Sequence, residues 1–71
     1  MEKTLVRRNW LKELRKEKGY TVRTMAKEFG ISWTYYSDIE NGRKNPSLFL
    51  AIKVSKYFGI SVERFTEGLI A

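Results

Sequence analysis

The sequence predicts a compact all-α domain of five helices, with helices two and three forming a helix-turn-helix. Three observations carry that prediction. Apolar residues recur at helical spacing: Val22, Met25, Ala26 and Phe29 stand at i, i+3, i+4 and i+7, one face of a helix. The same start signal occurs three times, an apolar residue followed by a hydroxyl residue that can accept from free amides, with a second apolar residue one turn inside the helix. Tyr20-Thr21 with Met25, Ile31-Ser32 with Tyr36 and Ile60-Ser61 with Phe65 all have this form. Glycines at 19, 30, 42, 59 and 68 stand where each apolar stripe ends, and no segment alternates as a strand would.

The elements follow in order. From about Arg7 to Lys18 the first helix turns Trp10, Leu11 and Leu14 inward, with Val6 one turn earlier, and Gly19 stops it. Thr21 caps the second helix, whose stripe ends at Gly30, a residue that enters the left-handed region cheaply. Ser32 caps the third, which buries Tyr36 and Ile39 and turns Trp33, Thr34, Ser37, Asp38 and Asn41 outward. Tyr36 is bulky enough that its hydroxyl is expected at the surface. Asn41-Gly42 ends this helix, and Arg43-Lys44-Asn45 forms a polar loop. Pro46 is either the first residue of helix four or the residue before a Ser47 cap. Helix four runs to about Phe58 with Leu48, Ala51, Ile52, Ser55 and Phe58 on one stripe and Val54 widening it. That phase leaves Phe49, Leu50 and Tyr57 over. Ser61 to about Glu67 is a short fifth helix with Val62 and Phe65 inward. The whole chain, 1–71, reads as one domain with a core of about 7–68.

Composition excludes several kinds of chemistry. No cysteine or histidine occurs, so disulfides, thiolate nucleophiles, Cys/His zinc sites and the commonest general base are absent. Acidic residues are scattered rather than paired, and no catalytic constellation emerges. The expectation is a non-enzyme with no metal, cofactor or small-molecule ligand. Neither a membrane span nor the apolar core of a signal peptide is present, which predicts a cytoplasmic protein. The formal net charge of +6 points to a polyanionic partner. Residues 1–18 carry net +4, residues 19–42 net −1 and residues 43–71 net +3, so the charge flanks the bihelical unit. A basic rim around a more neutral reading surface is what nucleic-acid binding requires, because phosphates are gripped and bases are read. Two short helices joined by a glycine-containing turn form the unit that seats a helix in the DNA major groove.

The motifs LKELRKEKG, Ala26 with Gly30, IENG at 39–42, NPS at 45–47 and the final FGIS occur in one order over about residues 8–68. In this the chain resembles Cro and phage-repressor helix-turn-helix proteins, the lambda-repressor-like fold of the xenobiotic-response-element family. The resemblance implies sequence-specific binding of double-stranded DNA by a small, repressor-like transcriptional regulator, with a recognition helix at about 32–41. It assigns base reading to Ser32, Trp33, Thr34, Ser37, Asp38 and Asn41. Thr21, Arg43 and Lys44 take phosphate roles, and Arg23 and Lys27 on helix two are further phosphate candidates. It also implies a buried ion pair between Arg15 and Glu40. Two departures stand out. Val22 replaces the glutamine that relatives often place at the start of helix two, and packing is its expected role. The outward face of helix three also lacks Arg, Lys and Gln, the bidentate readers of guanine and adenine.

The apolar remainder Phe49, Leu50 and Tyr57, with Leu69 and Ile70, is a candidate contact for a homodimer. The second reading of the chain is a protein-binding module on the same fold, a partner of another regulator or an antitoxin-like protein, with little DNA affinity of its own.

Overall fold

The computed structural model describes residues 7–66, so Val6, Leu69 and Ile70 lie outside the described residues. Four α-helices and one 3-10 helix follow one another: α1 Asn9–Glu17, α2 Val22–Phe29, α3 Trp33–Glu40, α4 Leu48–Phe58 and the 3-10 helix Val62–Thr66. No strand occurs among the described residues.

The expected caps are formed. Thr21 Oγ1 accepts from the Thr24 amide at 3.1 Å, and Ser32 Oγ accepts from the Tyr35 amide at 3.2 Å. Ser47 Oγ accepts from the Leu50 amide at 3.2 Å, which makes Pro46 the residue before the cap. Gly30 ends α2 at φ 71°, and the Ile31 amide reaches back to the Ala26 carbonyl at 3.0 Å. No atom lies within 4 Å of where a Cβ would stand at Gly30, so its φ, not crowding, is the reason for glycine.

Three features of the helices differ from the sequence expectation. The fifth helix is a 3-10 helix, Val62–Thr66, rather than an α-helix, and Glu67, where it was expected to end, lies outside the described residues. Ser61 Oγ accepts from the Glu63 amide, and the Arg64 amide bonds the Ser61 carbonyl three residues back, the tighter spacing of a short terminal turn. The first helix starts at Asn9 rather than Arg7, because Arg8 has non-helical backbone angles (φ -98°, ψ 68°), and its amide bonds the Glu40 carbonyl at 2.8 Å. α4 is also rotated from its expected phase. Leu50, Ala51, Val54 and Ser55 are buried, while Leu48 and Phe49 are 69% and 87% exposed. Tyr57 and Phe58 fix this rotation by setting their ring edges against Phe29, with centroids 5.4 and 6.4 Å away. Leu50 is therefore a core residue and not a dimer contact. Tyr57 is half-buried and donates to the Tyr20 hydroxyl at 3.4 Å, and this bond, ahead of burial, pushes its phenol up to about 12.

The core comprises Leu11, Met25, Ala26, Phe29, Tyr36, Ile39, Leu50, Ala51, Val54 and Phe65, with Val22 packed against it. Two arginines are buried with them. Arg15 donates through Nε to Glu40 Oε2 at 2.7 Å, through Nη2 to Glu40 Oε1 at 3.3 Å and through Nη1 to the Tyr20 carbonyl at 2.7 Å. The pair ties α1 to α3, and the Glu40 bond holds Arg15 above its ordinary pKa against the opposing effect of burial. Arg8 is 4% exposed and has no carboxylate partner among the described residues. Its guanidinium donates to the carbonyls of Ile39 (2.6 Å), Lys44 (3.2 Å) and Phe65 (3.5 Å) and to Asn45 Oδ1 (2.8 Å). Burial pushes its pKa down, and the guanidinium remains a cation at neutral pH. This side chain joins the start of α1, the loop after α3 and the 3-10 helix.

Tyr36 is 1% exposed, so its hydroxyl does not reach the surface. Oη lies under the influence of the Glu40 carboxylate but meets no partner in hydrogen-bond geometry. Burial first, and Glu40 second, raise its pKa above the ordinary tyrosine value. A raised folded-state pKa means stability that is present below about pH 10 and lost as pH rises beyond it. Tyr36→Phe removes an unsatisfied buried hydroxyl. It is expected to be neutral or stabilising by up to ~1 kcal/mol, and to blunt the loss of stability above about pH 10. Urea titrations of both proteins at neutral and alkaline pH check this, and a clear destabilisation at neutral pH would show that the hydroxyl is bonded in solution.

Candidate nucleic-acid interface

α2 and α3 pack together, and the burial of Tyr36, Ile39 and Glu40 decides which face of α3 is left outward. Ser32, Trp33 and Thr34 are exposed on its first turn, while Ser37, Asp38 and Asn41 are half-buried further along. Three groups of side chains divide this face.

At the start of α3, the Arg23 guanidinium lies over the Trp33 ring, 4.6 Å from its centroid. Arg23 and Lys27 are both exposed on α2, one turn apart. The Thr21 hydroxyl is exposed but shared, since it caps α2 and lies 2.9 Å from the Thr24 hydroxyl.

At the end of α3, Asn41 Nδ2 donates to Ser37 Oγ at 3.3 Å, and Arg7 Nη1 donates to Asn41 Oδ1 at 3.2 Å. Asn41 is thereby oriented from both sides. Arg7 joins the surface here, whereas its neighbour Arg8 turns into the interior. Nothing in the local sequence distinguishes these two adjacent arginines.

The third group surrounds Asp38. Its carboxylate is 3.7 Å from Arg43 Nη1 and 3.9 Å from Lys44 Nζ, and its carbonyl accepts from both backbone amides. The two cations are 58% and 61% exposed, so each pairing is weak and exchangeable. Lys44 also lies 6.0 Å from the Tyr35 ring centroid, and the Tyr35 hydroxyl accepts from the Ser47 amide. Tyr35 braces the loop that carries the cations, a role that its sequence position did not signal.

The outcome is a strip along α3 made of Trp33, Thr34, Ser37, Asn41 and the Asp38 carboxylate, with Arg23 and Lys27 at one end and Arg7, Arg43 and Lys44 at the other. Among the described residues no group of His, Cys, Asp or Glu could hold a metal ion, and no helix is long and apolar enough to cross a membrane.

Comparison with known proteins identifies the family of the chain. An uncharacterised helix-turn-helix-type transcriptional regulator, YqaF of Bacillus subtilis (strain 168), is 40% identical over 62 residues, covering 87% of this chain and 82% of that protein. The control protein C.MunI of a Mycoplasma species is 44% identical over 61 residues, covering 83% of this chain and 82% of its own. The transcriptional regulator SinR of B. subtilis (strain 168) is 42% identical over 58 residues, and there the chain spans 52% of the longer protein. No solved structure matches at comparable significance. Residues 11–65, from α1 to the 3-10 helix, match the helix-turn-helix family pattern, and the chain belongs to the Cro/C1-type helix-turn-helix family.

Proposed function

We propose that this domain binds double-stranded DNA sequence-specifically as a repressor-like transcriptional regulator, with α3 in the major groove. The observation that carries this reading is the outward face of α3, flanked at both ends by exposed cations. In the proposed complex Arg43, Lys44, Lys27 and the Thr21 turn grip phosphates and seat the helix. Trp33 and Thr34 pack on thymine methyl groups, and Ser37 and Asn41 offer hydrogen bonds to base edges. Asp38 accepts from a cytosine amino group once phosphates have taken Arg43 and Lys44 from it. The relatives named as transcriptional regulators support the reading. A single reading helix is small, so the bound form is proposed to be a homodimer on half-sites about one DNA turn apart. Among the described residues Phe49, beside Leu48, remains as the apolar surface for such pairing.

The test is a fluorescence-anisotropy titration with random duplex DNA at two salt concentrations. Binding is expected to weaken with a log–log slope near −0.9 per phosphate neutralised, about −2 to −4 in total for each protein chain. A slope near zero, or no binding at low salt, would remove the phosphate grip. It would favour the second reading, a protein-binding module, to which the pairing of Asp38 with the loop cations also lends support.

A further inference from the structure

We propose that Arg23, held over the Trp33 ring, reads a guanine in each half-site and supplies the bidentate donor that α3 itself lacks. This inference rests on the DNA-binding reading above and deepens it.

Four observations lead to it. The outward residues of α3 are Trp33, Thr34, Ser37, Asp38 and Asn41, and none can present two parallel donors to guanine O6 and N7 as arginine does. Arg23 lies over the face of Trp33, the first residue of α3, 4.6 Å from the ring centroid. Among the described residues Arg23 has no carboxylate within ion-pair distance, unlike Arg43 and Lys44. Both Arg23 and Trp33 are exposed, so the stack stands at the surface.

The geometry of the stack matters. A guanidinium on an indole uses its face, while its N–H donors point outward in its own plane and stay available. Stacking also restricts a long side chain before any ligand arrives, so less freedom is lost when its donors engage. The position favours a base over a phosphate. The N-terminal residues of a recognition helix are the ones that approach base edges. Stacking draws Arg23 toward that turn of α3, while Arg43 and Lys44 hold the opposite end. Val22, at the preceding position, is half-buried against the core and can offer no donor. Toward this guanine Trp33 is therefore a positioning residue and Arg23 the reader.

The experiment begins with selection of bound sites from a random duplex library by the intact chain. Binding of Arg23→Ala, Arg23→Lys, Trp33→Ala and Trp33→Phe is then measured on the selected site and on each of its single-base changes. Thermal melts confirm that these surface variants stay folded. In Arg23→Ala, preference for one guanine per half-site is expected to fall about tenfold to a hundredfold while other positions keep theirs. Arg23→Lys does not restore it, because an ammonium cannot form the fork. Trp33→Ala weakens the same position, and Trp33→Phe retains much of it, since phenylalanine still offers an aromatic face.

Uniform weakening on all sequences, with the salt slope reduced by about 0.9, would make Arg23 a phosphate contact and overturn the inference. So would unchanged base preferences in Arg23→Ala. If the intact chain enriches no sequence, the DNA reading itself fails, and the inference fails with it. That outcome is distinct from a selected site that does not respond to Arg23.

Discussion

Glu40→Ala will lower the unfolding free energy by about 3–5 kcal/mol, because it leaves the Arg15 guanidinium buried without its carboxylate. Arg15 and Glu40 side chains are 8% and 7% exposed, too little for water to replace the lost partner. A domain of this size is stabilised by about 4–11 kcal/mol in total, so the variant should be close to unfolding at room temperature. The double replacement Arg15→Met with Glu40→Leu is expected to cost less than Glu40→Ala, since it removes the buried charge together with its partner. Urea denaturation of the three proteins measures both effects. A cost below about 1 kcal/mol for Glu40→Ala would mean that the pair behaves as a solvated surface bridge.

The second large effect is expected at Arg8. Arg8→Ala strips the donor from three carbonyls and Asn45 Oδ1, and the estimated loss is about 2–4 kcal/mol. Thermal melting should record a fall of roughly 10–30 °C. Arg8→Lys is expected to recover less than half of this. A single ammonium cannot reproduce Nη1 reaching Ile39 and Lys44 while Nη2 reaches Asn45 and Phe65. Arg7→Ala, one residue earlier and exposed, serves as the control and should change stability by no more than about 0.5 kcal/mol. If Arg8→Ala melts with the unmodified protein, the guanidinium is solvated in solution and the interior placement is wrong.

The contrast between these two arginines shows which parts of the molecule could be read from the sequence. Helix starts and stops depend on residues a few positions apart, so Thr21, Ser32, Ser61 and Gly30 announce them locally. The pairing of Arg15 with Glu40 was implied by resemblance rather than by any local pattern. Arg8 is different, because its partners lie 31 to 57 residues away and nothing near it separates it from Arg7. The rotation of α4 was hidden for a related reason. Two apolar stripes share Ala51, Val54, Ser55 and Phe58, and only the ring contacts with Phe29 on another helix select the one that includes Leu50 and Tyr57. Tyr36 was placed inward by its spacing, but the depth of its hydroxyl depends on how closely the surrounding helices approach. At the surface, the outward residues of α3 followed from periodicity. The Arg23–Trp33 contact joins two helices, which no spacing rule along the chain encodes, whereas the Asp38 cluster is local to the end of α3 and its loop.

The bonds of Arg8 also bear on how the protein is born. During synthesis Arg8 is made 57 residues before Phe65, the most distant of its hydrogen-bond partners. At typical ribosomal rates that interval lasts roughly 3–11 s. For the first part of that time the acceptors at Ile39, Lys44 and Asn45 are missing too, and until Phe65 is made the seat of the guanidinium lacks its bond to the 3-10 helix. A nascent chain halted before the loop at Lys44 and Asn45 would have neither of those acceptors. Such a product would be open to proteases along α1, whereas the chain through Phe65 can close in a single step.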